Sequence, residues 1–66
     1  MEIVLNGETR AVGEGATVSS LLEELSLPPT RVAVERNRVI VRKTEYGATE
    51  LAAGDRLEIV TFVGGG

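Results

Sequence analysis

The residues best placed to do chemistry stand at the end of the chain. Val63-Gly64-Gly65-Gly66 follows without a break on the apolar run Leu57-Glu58-Ile59-Val60-Thr61-Phe62-Val63. A strand that runs into bare glycines puts a carboxylate on a thread without side chains. Glycine has no Cβ, so such a thread fits a narrow channel on another protein and leaves the acyl carbon of Gly66 unhindered. Four extended residues reach roughly 13–14 Å. That distance carries the carboxylate into a partner's active site while the folded body stays outside. A carboxylate is a poor electrophile until one oxygen belongs to a good leaving group. Gly66 is therefore the candidate attachment point, with Gly65 and Gly64 the residues that thread. A frayed terminus is the plain alternative. The position of the glycines directly after a strand, in so small a chain, favours a functional tail.

The rest of the composition narrows the chemistry. Cys and His are both absent from the 66 residues. This excludes disulfides, thiol chemistry, Cys/His zinc sites and a histidine general base. No residue is a candidate for catalysis or for metal binding, and the expectation is a non-enzyme on which other enzymes act. The net charge of −3 argues against nucleic acid as the main partner. The charge is unevenly spread. Residues 1–30 hold five acids and Arg10, giving −4, and residues 44–66 hold four acids and Arg56, giving −3. Between them, residues 31–43 hold Arg31, Arg36, Arg38, Arg42 and Lys43 against Glu35, giving +4. A basic segment in an acidic protein steers docking or simply blunts a sheet edge, and the second reading is the commoner. No stretch approaches the length of a membrane span. The apolar pattern begins at Met1 itself, which leaves no room for a signal peptide, so a cytoplasmic location is expected.

Elements to carry the tail follow from local pattern. Glu2-Ile3-Val4-Leu5 reads as a strand, Asn6-Gly7 as a tight hairpin turn that needs positive φ, and Glu8 to Val12 as the returning strand. Thr17 is a good N-cap. Val18, Leu21, Leu22 and Leu25 then fall at i, i+3, i+4 and i+7, one face of a helix, which Pro28-Pro29 should end. Arg31 to Glu35 alternates as a strand, Arg36-Asn37-Arg38 turns, and Val39-Ile40-Val41 is a short strand. Lys43 to Ala53 has no clear period and reads as a loop with one helical turn, anchored by Leu51. Gly54-Asp55 turns into the last strand, Arg56 to Val63. The first and last strands are the most continuously apolar and should be central. One helix then covers one face of a mixed sheet, an α+β fold. A parallel central pair with antiparallel flanks is the β-grasp, or ubiquitin-like, architecture. The expected organisation is a single domain over 1–63 and a flexible glycine tail over 64–66. The expected core is Ile3, Leu5, Val18, Leu21, Leu22, Leu25, Val32, Val34, Leu51, Leu57 and Ile59.

Period two in the last strand sends Leu57, Ile59, Thr61 and Val63 one way and Glu58, Val60 and Phe62 the other. If the helix covers Ile59, Val60 and Phe62 face away from it and form a docking patch beside the tail. The competing expectation is a second small core, closed over that face by the Lys43–Ala53 loop.

Taken in order, these pieces resemble the ThiS family, sulfur carriers of thiamine biosynthesis, over nearly the whole chain. The resemblance rests on the opening strand with Asn6-Gly7, on Thr17-Val18 with Leu21-Leu22, and on Val32-Ala33-Val34-Glu35 with Asn37. Gly54-Asp55, Glu58-Ile59-Val60 and Val63-Gly64-Gly65-Gly66 match best. Tyr46 stands where many relatives carry Trp, a conservative departure. The resemblance implies that an E1-like adenylating enzyme, using ATP and magnesium, converts the Gly66 carboxylate to an acyl-adenylate. Sulfur from a cysteine desulfurase, passed along a persulfide relay, then displaces AMP and leaves a thiocarboxylate, which thiazole synthase uses. The carrier itself binds no cofactor in this scheme. Two alternatives share the fold. MoaD-like carriers for molybdopterin, or carriers for tRNA thiolation, keep the chemistry and change the acceptor. A plain ubiquitin-like interaction module keeps only the surface.

Overall fold

The computed structural model describes residues 1–62. The tail assigned to residues 64–66, the attachment point at Gly66 and the orientation of Val63 lie outside the described residues.

Among the described residues, five strands and one α-helix account for the fold. Strands β1 (Glu2–Leu5) and β2 (Glu8–Ala11) form the expected hairpin, with Ile3 opposite Arg10 and Leu5 opposite Glu8. Its two turn residues have the positive φ that the connection requires, 48° at Asn6 and 85° at Gly7. Strands β3 (Val32–Arg36) and β4 (Val39–Val41) form a second two-residue hairpin. Strand β5 (Arg56–Thr61) lies in the middle, and the sheet order is β2-β1-β5-β3-β4. The pair β1–β5 is parallel and the other pairs are antiparallel. The first and last strands are thus neighbours inside the sheet, as their apolar continuity demands, and this is the β-grasp arrangement.

Helix α1 (Val18–Glu24) crosses one face of the sheet. The Thr17 hydroxyl accepts from the Ser20 N–H at 3.1 Å, and the Ser20 hydroxyl accepts from the Thr17 N–H at 2.8 Å. This is a capping box with serine in the role usually given to glutamate. The helix stops a turn before the prolines expected to end it. Ser26, at φ 58°, lets the Ser26 N–H reach Glu23 O at 3.0 Å and the Leu27 N–H reach Leu22 O at 2.9 Å. That is a Schellman ending, which satisfies the last carbonyls before Pro28 can act.

The core lies between α1 and the sheet. Ile3, Val18, Leu21, Leu22, Val32, Val34, Leu51, Leu57 and Ile59 are buried as expected, while Leu5 and Leu25 are only partly buried. Leu5 ends an outer stretch of β1, and Leu25 caps a helix too short to bury its last turn. Val12 and Tyr46 complete the core without having been expected there. The 43–53 segment opens with a single 3-10 turn, Lys43–Glu45, and packs beside the helix. The Ser19 N–H donates to Tyr46 O, the Val18 N–H to Thr49 O, and the Leu51 N–H to Ala16 O. Among the described residues no helix is long and apolar enough to cross a membrane.

Candidate functional site

Strand β5 delivers the tail, so its support decides where the tail begins. On the β1 side the ladder pairs Val4 with Arg56 and Leu5 with Leu57, and β1 then ends. The Asn6 side chain supplies the next rung. Its Nδ2 donates to Ile59 O at 3.1 Å and its Oδ1 accepts from the Ile59 N–H at 2.8 Å. A turn residue thereby satisfies both backbone groups of Ile59, which the end of β1 leaves without a strand partner. On the β3 side pairing runs further, to Val32 opposite Thr61, and the Phe62 N–H donates to Arg31 O at 2.8 Å. β5 is therefore held in register up to Phe62, and Val63 to Gly66 follow in sequence.

The face of β5 turned away from α1 is open. Val60 is 59% exposed and Phe62 54%, consistent with their opposite parity to buried Leu57 and Ile59. The competing second core does not form, because Tyr46 and Leu51 tie the 43–53 segment to the helix side. The same face continues across the sheet. Ala33 is paired with Val60, Glu35 with Glu58, and Ile40 with Glu35. Ile40 is 72% exposed and belongs to this surface, although sequence reasoning did not include it. The two-residue Asn37-Arg38 turn fixes the register that puts it there, a pairing that the broader turn read over Arg36-Asn37-Arg38 left open.

A second polar cluster braces the approach to β5. Asp55 is buried, and its carboxylate accepts from Arg36 Nε at 2.8 Å, Asn37 Nδ2 at 3.1 Å and the Ala52 N–H at 2.8 Å. Burial pushes this carboxyl upward in pKa. The three hydrogen bonds and the Arg36 charge outweigh it, so the net displacement is downward. Burial alone raises the Tyr46 hydroxyl. The Asp55 cluster holds the β3–β4 hairpin against the turn that starts β5. It lies at the far end of β5 from the tail, so its role is to position the strand.

No group of three or more acidic, His or Cys side chains is placed to hold a metal ion among the described residues. A shallow groove runs along β4, lined by Arg36, Val39, Val41, Arg42, Glu45 and Thr49 among others. It is remote from the end of β5, since β4 pairs with Val34 to Arg36 and Thr61 lies beside Val32.

The sheet order, the single packed helix and the open face beside the last strand define a ubiquitin-like β-grasp protein. Comparison with known proteins narrows this class. The ThiS family matches residues 3–66. The sulfur carrier protein ThiS of Bacillus subtilis is 41% identical over 63 residues, covering 94% of this chain and 96% of that protein. The chain belongs to the ThiS family. The crystal structure of a thiamine biosynthesis protein (ThiS) from Geobacter metallireducens superposes with a TM-score of 0.84 at 32% identity, over 100% of both chains. A thiazole synthase of Paramagnetospirillum magneticum is 48% identical over 66 residues, which are 100% of this chain and 20% of that protein. The chain spans about one fifth of the length of the thiazole synthases it matches.

Proposed function

We propose that this protein is a sulfur carrier of thiamine biosynthesis, charged at its C-terminal carboxylate. The observation that carries the reading is the family match, which runs through the glycines to residue 66, on a chain whose central strand ends at Thr61, shortly before them in sequence. The Gly66 carboxylate attacks the α-phosphate of ATP in an adenylating enzyme, and pyrophosphate leaves. The outer sulfur of an enzyme persulfide then attacks the unhindered acyl carbon and AMP leaves, giving an acyl disulfide. A second thiol attacks the enzyme's sulfur, so that the S–S bond breaks, a disulfide remains on the enzyme side and the thiocarboxylate departs on Gly66. Gly64 and Gly65 thread the channel, and ATP and magnesium belong to the activating enzyme. The protein is thus a co-substrate. A thiazole synthase is the acceptor this reading favours, because a ThiS-like stretch occurs within proteins named thiazole synthase. A cytoplasmic location belongs to the same proposal, since the charging step draws on ATP. Val60 and Phe62, exposed beside the tail exit, are the proposed contact for the activating enzyme and the acceptor in turn.

Intact mass before and after incubation with an adenylating enzyme, ATP and a persulfide donor tests the reading. The expected product has one C-terminal oxygen replaced by sulfur, and an unchanged mass rejects the carrier function. Gly65→Val should abolish adenylation while shifting unfolding free energy by no more than about 0.5 kcal/mol. A Gly65→Val protein activated at the normal rate would refute the narrow channel.

A further inference from the structure

The open face of the sheet contains a repulsion that folding does not require. Glu35 and Glu58 stand directly opposite each other on β3 and β5. Each alternates with buried neighbours, Val34 and Ile59, so both side chains leave the sheet on the open side. Opposed residues of an antiparallel pair have Cβ atoms about 4.5–5.5 Å apart, and like charges at that spacing destabilise the sheet. Other cations are near in the sheet. Arg56 is two residues before Glu58 on the same face, and Arg38 and Arg42 flank β4. Yet the one ion pair among the described residues is Arg36 with Asp55, so neither glutamate is neutralised by a close partner there. The rung is framed by exposed apolar side chains, Ile40 beside Glu35 and Val60 two residues beyond Glu58.

We propose that the Glu35–Glu58 rung is the specificity element of this face, and that it receives an arginine or lysine of a protein partner framed by apolar side chains. The partner's cation would donate to both carboxylates, and Ile40, Val60 and Phe62 would exclude water around it. Charge complementarity favours this occupant over a second copy of the chain, which would bring its own paired glutamates onto the same rung. The proposal rests on the carrier reading only in taking the adenylating enzyme as the partner tested. Its physical content is that an interaction unfavourable in the free protein becomes favourable when docked.

The test compares wild type with Glu35→Gln, Glu58→Gln and Glu35→Lys. Thermal unfolding, affinity for the adenylating enzyme without ATP, and adenylation with ATP are measured on each. Removing the repulsion should raise the melting temperature by about 1–5 °C. The same change should weaken affinity by about tenfold in each glutamine variant, reduce its salt dependence, and leave kcat within about twofold. Glu35→Lys, which places its own cation opposite Glu58, should be at least as stable and bind least. Unchanged affinity in both glutamine variants, with wild type bound and adenylated normally, overturns the proposal and leaves the carrier reading intact. Wild type that binds through the rung but is not adenylated supports the proposal and removes the carrier reading. Failure of wild type to bind at all overturns both. Self-association of the wild type that these substitutions abolish would assign the face to a second copy and also overturn the proposal.

Discussion

Asp55 joins three separated pieces of chain, and it does so with one carboxylate. Arg36 and Asn37 come from the end of β3 and the turn after it, and Ala52 from the segment preceding β5. Since the carboxyl pKa in the folded protein lies below its ordinary value, the cluster's contribution to stability is complete above the unfolded value, about 3.9. It is lost as pH falls through the depressed folded value, because protonation then becomes more favourable in the unfolded chain. Asp55→Asn keeps the shape and removes that titration. Denaturant unfolding at pH 7 should show Asp55→Asn less stable by about 1–3 kcal/mol, and the gap to wild type should narrow below about pH 4. A gap independent of pH would mean that the carboxylate charge contributes nothing. In the sequence, Gly54-Asp55 was legible only as a turn. Turn chemistry accounts for an exposed aspartate, and nothing local reveals that partners 18 and 19 residues earlier bury it.

Each element owes its boundaries to local chemistry and its stability to the face it buries. The hairpins, the Thr17 cap and the central position of β1 and β5 were legible because Asn-Gly, Ser/Thr caps and apolar continuity are local signals. The Schellman ending at Ser26 was not, since serine carries no propensity for positive φ that would outrank the neighbouring prolines. The core role of Tyr46 was hidden for a related reason: an aperiodic segment does not say which side chain turns inward. Of the candidate site, the parity of Val60 and Phe62 was readable from period two, whereas Ile40 required the sheet register. Leu22 is buried on the helix face, at 1% exposure, and Leu22→Ala should cost about 2–5 kcal/mol in chemical unfolding. A near-neutral result would place that face away from the core. The β3–β4 turn offers the opposite prediction. Arg38 holds φ 72°, a conformation that costs an L-residue about 1–2 kcal/mol. Arg38→Gly relieves that cost and loses some of the gain to greater freedom in the unfolded chain. The net expectation is a gain of about 0.5–1 kcal/mol in unfolding free energy, and a loss would show that the Arg38 side chain makes a contact worth more than the strain.

At the scale of the whole molecule, the fold buries one face of its sheet and leaves the other open, and the proposed docking surface lies on the open face. The helix, Tyr46 and Leu51 close one side. The other side keeps Ile40, Val60 and Phe62 as exposed large apolar side chains, and β5, which carries the last two, is also the strand that precedes the glycines in sequence. A protein of this size buries about 60% of its unfolded surface, so leaving its single Phe half outside forgoes core that it could use. That choice makes sense if Phe62 is reserved for a surface that becomes buried only in a complex. Phe62→Ala therefore separates the two roles. Affinity for the adenylating enzyme should fall by more than about 1 kcal/mol, while unfolding free energy changes by less than about 1 kcal/mol. Both are to be measured on the same preparation, with affinity expressed per folded molecule. A large stability loss with unchanged affinity would make Phe62 a core residue, and the open face would then have to recognise its partner through Val60, Ile40 and the glutamate rung alone.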